Sequence, residues 1–115
     1  MPTYGEMRTP QEIELDRKVL NKVLAGIEFL QERYGDDWVD KIDLNTLQLA
    51  SAQSCVLGQF GRNTGRGDYH AMIDRFCIGS GTEHGFAANR YEEYPALDRV
   101  WKREITRLRA EKAQG

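Results

Sequence analysis

Two cysteines, two histidines and three prolines are all that this chain of 115 residues contains, and each scarcity closes off a class of protein. With Cys55 and Cys77 alone, a disulfide-stapled scaffold is not expected, and a reducing compartment would keep both as thiols. No apolar run approaches the roughly 18 residues that span a bilayer, so no membrane association through a spanning helix is expected. An excess of one charge is lacking too. Sixteen Lys and Arg against eighteen Asp and Glu leave a formal charge of −2, which gives no global pull towards nucleic acid or anionic membrane. Met1 to Arg8 has no basic stretch leading into an apolar one, so no secretory signal is read there, and the cytoplasm is the expected location.

What remains is the composition of a globular domain. Hydrophobic residues make up 40% and charged residues 30%. A chain of this length forms one domain and buries somewhat over 60% of its unfolded surface, enough for a core without staples. The expected organisation is a flexible segment over 1–8, one helical domain over 9–110 and a flexible tail over 111–115.

Thr9-Pro10-Gln11-Glu12 supplies a helix N-cap, a proline at the first helical position and a glutamate for a capping box. Ile13, Leu20, Ile27 and Tyr34 then recur every seven residues, with Val23, Leu24 and Leu30 on the same face, and Gly35 is the expected stop. Asp16 interrupts that stripe, so the first turns are expected to project or fray. Trp38, Val39 and Ile42 suggest one short helical turn, and Asp43 to Leu49 reads as a connector whose leucines cover the core.

Ser51 reads as the N-cap of a helix carrying Ala52, Cys55, Val56, Gln59 and Phe60 on one stripe. Gly61, Gly65 and Gly67 break it. Asp68 caps the next helix, whose shared face holds Tyr69, Met72, Ile73, Phe76 and Cys77. A last helix from near Pro95 to Ala110 presents Leu97, Val100, Trp101, Ile105 and Leu108, with Asp98 and Lys102 spaced as an ion pair. Arg103, Arg107 and Arg109 suit its negative C-terminal end. The fold class expected is a small all-α, single-domain helical fold, with long N- and C-terminal helices and two or three short helices between.

The chemistry-bearing residues form no strong site. Cys55, His70, Cys77 and His84 are the right types for zinc, but they lie 15, 7 and 7 positions apart, without the tight pair that pre-organises such sites. A Cys55 nucleophile lacks a cation or helix N-terminus to stabilise its thiolate, and its apolar stripe would raise the thiol pKa. The glycine loop fails as a phosphate cradle because Asp68 stands where a lysine would be required. No catalytic residue, cofactor or metal is therefore assigned.

Two binding readings remain. Arg62 and Arg66 beside a glycine turn offer phosphate contacts for a nucleic-acid-binding regulator, although the turn is long for a helix-turn-helix and Asp68 and Asp74 follow it. Phe86, Tyr91, Tyr94 and Trp101 crowd the final third, and those left exposed together would form a protein-binding surface or pack across a homodimer. A non-enzymatic protein-interaction module is the preferred reading, with Arg62, Arg66, Tyr91 and Tyr94 as the possible interaction residues. Nucleic-acid binding at Arg62/Arg66 and a metal or thiol site at Cys55 are the alternatives.

Ile42-Asp43-Leu44, Ser54-Cys55-Val56-Leu57-Gly58-Gln59, Glu83-His84-Gly85-Phe86 and the closing Tyr94-x-x-Leu97-x-x-x-Trp101-x-x-x-Ile105 form a recognisable series. Over about residues 23–108 the chain resembles a family of small uncharacterised proteins encoded by actinobacteria and their bacteriophages. The resemblance implies a phage or prophage accessory protein acting on a host or phage protein in the bacterial cytoplasm. It implies no catalytic role for Cys55 or Gln59.

Overall fold

A computed structural model describes residues 9–79 and 81–114, and the flexible segment expected over 1–8 lies outside these. The described residues form an all-α fold without strands: α1 (Pro10–Tyr34), α2 (Val56–Asn63), α3 (Tyr69–Phe76) and α4 (Tyr94–Gln114), with short 3₁₀ turns between.

The capping box starts α1 as expected. Glu12 N–H donates to Thr9 Oγ1 at 3.1 Å, and Thr9 N–H donates back to Glu12 Oε1 at 3.0 Å. Gly35 ends the helix at φ +74°, a left-handed value that suits glycine. Helices α1 and α4 run in the same direction. Their N-terminal parts meet at Asp16 and Arg99, their middles at Gly26 and Trp101, and Gln31 and Leu108 border one cavity near their C-terminal ends.

Asp16 corrects the expectation of a frayed start. It is buried, and its Oδ1 accepts from Arg99 Nη2 at 2.7 Å and from Arg99 Nε at 3.1 Å. The apolar stripe is also rotated from the heptad reading. Val19, Val23, Ile27 and Leu30 face the core, whereas Ile13 and Leu24 remain 44% and 40% exposed. Gly26 sets that rotation. A Cβ there would lie 2.1 Å from the His84 carbonyl oxygen and 3.1 Å from the Trp101 ring, so α1 presents its glycine to that contact.

Trp38 and Val39 are buried on the 3₁₀ turn Asp36–Lys41, and the Trp38 ring meets Trp101 edge-on at 6.1 Å. Leu47 and Leu49 on the following connector cover the core as expected. Helix α4 runs past the expected end at Ala110 and continues to Gln114. In its last turns Arg107 bonds Glu111 at 2.6 Å, and Lys112 reaches Asp37 and Asp40 at 2.8 and 2.7 Å. Arg109 does not cap its own helix. It donates to the Val39 and Ile42 carbonyls and so satisfies the end of the Asp36–Lys41 turn. Asp98 bonds the Leu49 N–H at 2.7 Å and fixes the connector, a role the expected Asp98–Lys102 pairing did not include.

Candidate functional site

The segment Cys55–Gln59 is built from the backbone outwards. Ser51 accepts from the amides of Gln53 and Ser54, so it caps a turn instead of a helix. Regular helix begins only at Val56, with Cys55 as the N-cap, whose Sγ accepts from Gly58 N–H at 3.2 Å. The delay has a physical cause: the Ala52 carbonyl is engaged by Tyr69 N–H at 3.0 Å, bending the chain away from a straight entry. Gly58 lets that bend pack tightly, since a Cβ there would lie 2.2 Å from the Ala52 carbonyl oxygen.

Gln59 then closes the assembly. Its Oε1 accepts from Asp43 N–H at 2.6 Å, and its Nε2 donates to the carbonyls of Asp43 at 3.1 Å and Ser54 at 3.0 Å. Val56 and Leu57 are fully buried beside it. The Ile42-Asp43-Leu44 and Cys55–Gln59 motifs are thus hydrogen-bonded to one another. A second pair of motifs is joined in the same way: Trp101 Nε1 donates to Gly85 C=O at 2.7 Å, and Phe86 stacks on the Trp101 ring at 5.8 Å. Each motif has a structural task.

Cys55 is 1% exposed, and burial pushes its thiol from the ordinary 9.0 up to about 11. The weak helix-end hydrogen bonds do not offset that desolvation, so the thiol stays protonated at neutral pH. The other metal candidates lie in different settings. His70 is exposed beside Tyr69; His84 is half-buried between the rings of Phe29 and Phe86. Cys77 is not on the apolar face assigned to it. It is the exposed C-cap of α3, at φ +58°, which turns its side chain off the helical stripe. Among the described residues no three His, Cys, Asp or Glu side chains come together to hold a metal ion.

The interaction candidates divide into two places. Tyr94 is half-buried at a cavity of about 180 Å³ that Leu49, Ala52 and Phe86 line with apolar surface and Tyr69 and His70 with polar groups. Tyr91 stands next to it, 79% exposed, its ring 5.8 Å from that of Tyr94 and roughly perpendicular. Burial pushes the Tyr69 hydroxyl up to about 12, so it remains a hydrogen-bond donor at the cavity. A larger cavity of about 400 Å³, between the ends of α1 and α4, is lined by Gln31, Asp36, Glu111 and Lys112 around Leu108. Its Glu111 and Lys112 are already paired, with Arg107 and Asp37.

Arg62 and Arg66 do not act as one loop-borne pair. Arg62 donates to the Gln53 carbonyl at 3.2 Å. Arg66 lies over the rings of Tyr34 and Phe60, at 5.1 and 5.8 Å from their centroids. Sequence reasoning missed its counterpart, Arg33, which lies over Phe29 and Phe76 at 4.5 and 5.4 Å. The only signal available was an arginine four residues after a phenylalanine on one helix.

No protein-family model, curated protein or solved structure matches the chain.

Proposed function

We propose that the protein is a small, non-enzymatic protein-interaction module that receives one apolar side chain of its partner in the cavity beside Tyr94, with Tyr91 as the adjoining contact. The observation that carries this reading is Tyr91. It is a large aromatic residue left 79% exposed, its ring 5.8 Å from that of Tyr94 at the rim of a cavity of mixed apolar and polar lining, and tyrosines, with one apolar and one polar end, are enriched at such contacts. The volume supports it as well. About 180 Å³ falls below the roughly 300 Å³ at which cofactor and metabolite sites begin, and suits a single anchoring side chain. The buried Cys55 thiol gives no support to a thiol or metal function. The resemblance to actinobacterial and phage proteins supports a phage or prophage accessory role, with a host or phage protein as the partner in the bacterial cytoplasm.

The test is capture from a host lysate with three proteins in parallel: the natural sequence, Tyr91→Ala and Ala50→Glu. Ala50 is exposed and lines the same cavity, so a glutamate there blocks it without disturbing the core. A partner retained by the natural sequence and lost by both variants, at unchanged thermal stability, is the expected result. Folded natural protein that retains nothing above background, or a partner held equally by all three, refutes the reading.

A further inference from the structure

Among the described residues, the large hydrophobics left exposed apart from Tyr91 both lie on α1. Ile13 and Leu24 are 44% and 40% exposed, and Leu20 stands half-buried between them. At 3.6 residues per turn the three fall within about 40° of one another, in a stripe about 17 Å long. Arg17 and Glu28 sit on one edge of that stripe, within about 20° of each other around the helix. Both are exposed, and among the described residues neither has an ion pair or a side-chain hydrogen bond. A cavity of about 190 Å³ opens beside the N-terminal half of the stripe, with Ile13 and Leu20 as apolar walls and Arg17 and Arg103 as cationic ones. Asp16 lines it too, but its carboxylate is held by Arg99 at 2.7 Å.

We propose that this stripe is the contact surface for a second copy of the chain, packed antiparallel so that Arg17 of each copy meets Glu28 of the other. Charge complementarity selects that occupant. A twofold axis midway between the levels of residues 17 and 28 brings each Arg17 level with the second copy's Glu28, on the same side of the contact, and does so twice. The same axis sets Leu20 against the second copy's Leu24 to within one residue, so one arrangement covers the apolar stripe and pairs its charges. Parallel pairing in register would instead oppose like charges at both positions, which is unfavourable. The second copy's Glu28 enters the cavity between Arg17 and Arg103, its methylenes against Ile13 and Leu20. Three partly exposed apolar side chains in each copy make a small contact, so the dimer is weak and forms between about 10 μM and 1 mM. The stripe shares no residue with the Tyr91–Tyr94 cavity, so either reading can fail without the other.

The test is sedimentation velocity across that concentration range. The samples are the natural chain, Arg17→Glu, Glu28→Arg, and an equimolar mixture of the two variants, each protein first checked for an unchanged thermal midpoint. The natural chain should shift from monomer towards dimer as concentration rises. Either variant alone opposes like charges at both ends of the contact, so its dissociation constant should rise by about tenfold or more. In the mixture the two substituted positions face each other at one end and the natural pair meets at the other. Dimer should therefore return to within about threefold of the natural affinity. A natural chain that stays monomeric up to about 1 mM overturns the proposal and leaves the stripe to a different partner. Undiminished association of the single variants, or a mixture that associates no better than its components, overturns the antiparallel Arg17–Glu28 contact.

Discussion

The Gln59 carboxamide holds Asp43 by both of its backbone polar groups, accepting from its N–H at 2.6 Å and donating to its carbonyl at 3.1 Å. One side chain thereby fastens the connector to α2, and its second donation, to Ser54, ties down the turn that leads into the helix. Replacing Gln59 by alanine would strand the Asp43 N–H and leave the Asp43 and Ser54 carbonyls with only their bonds from Thr46 and Gln48. We expect a loss of about 1–3 kcal/mol in chemical denaturation, the cost of one unsatisfied group. Gln59→Glu should also destabilise at neutral pH, because it replaces the donor with a charge facing two carbonyls. A loss below about 0.5 kcal/mol, the scale of an ordinary surface substitution, would show that Gln59 does not hold the connector.

The two cysteines should differ sharply in reactivity. Cys77 is exposed, and a thiol reagent at mildly alkaline pH should label it in the native protein. Cys55 is buried with its thiol raised to about 11, so it should react only when denaturant is added. Two thiols labelled at the same rate in native protein would contradict the N-cap placement.

That raised thiol also sets a sign for alkaline stability. The unfolded thiol ionises near 9.0 and the folded one near 11, so the unfolded chain binds fewer protons between those values and stability falls as pH rises through them. The full fall attributable to this one group is about 2–3 kcal/mol, and it is complete only above the folded value. Cys55→Ser keeps an N-cap acceptor and removes the ionisation in that window. Its alkaline denaturation curve should therefore be flatter than that of the natural sequence.

Gly26→Ala tests a close backbone approach between α1 and the His84 turn. Alanine is the better helix former by about 1 kcal/mol, so a helix free of contacts would gain from the change. Here the new Cβ would sit 2.1 Å from the His84 carbonyl oxygen, and relieving that contact must move backbone. A net destabilisation of about 1–3 kcal/mol is expected, as for overpacked cores, measured by thermal or urea unfolding. Any stabilisation would mean that α1 and the His84 turn are not packed this closely.

Asp16 and Arg99 should be coupled. A double-mutant cycle with Asp16→Asn and Arg99→Gln should return about 1–3 kcal/mol of interaction energy, because Asp16 is buried and the guanidinium donates to it twice. A coupling near the roughly 0.3 kcal/mol of exposed helical pairs would indicate a solvated contact.

Local signals carried the expectations that held. Thr9, Pro10 and Glu12 specify how α1 begins through contacts within three residues, and Gly35 ends it through its own backbone freedom. The amphipathic stripe of α4 is likewise a property of one helix. Where the reading shifted, the deciding partner was remote. Asp16 looked like a break in a stripe until Arg99, 83 positions away, turned out to face it. Ser51 had the chemistry of a helix cap, but Tyr69 took the Ala52 carbonyl and moved the start of α2 to Cys55. The Tyr91–Tyr94 candidate pair was legible because aromatics in excess of core need stand out in composition. Arg33 was not, because an arginine over a ring looks like any solvated arginine until the ring is placed.

The sequence by itself determined that this is an all-α chain with long helices at either end, since helical periodicity, caps and glycine stops act over a few residues. It also placed Cys55, Gly58 and Gln59 together as a motif without saying what they do. Only the tertiary structure decided that Cys55 caps a helix, that Gly58 admits a neighbouring backbone and that Gln59 holds Asp43. Those roles depend on which distant groups are brought within hydrogen-bonding or van der Waals distance, and no periodicity in the chain encodes that.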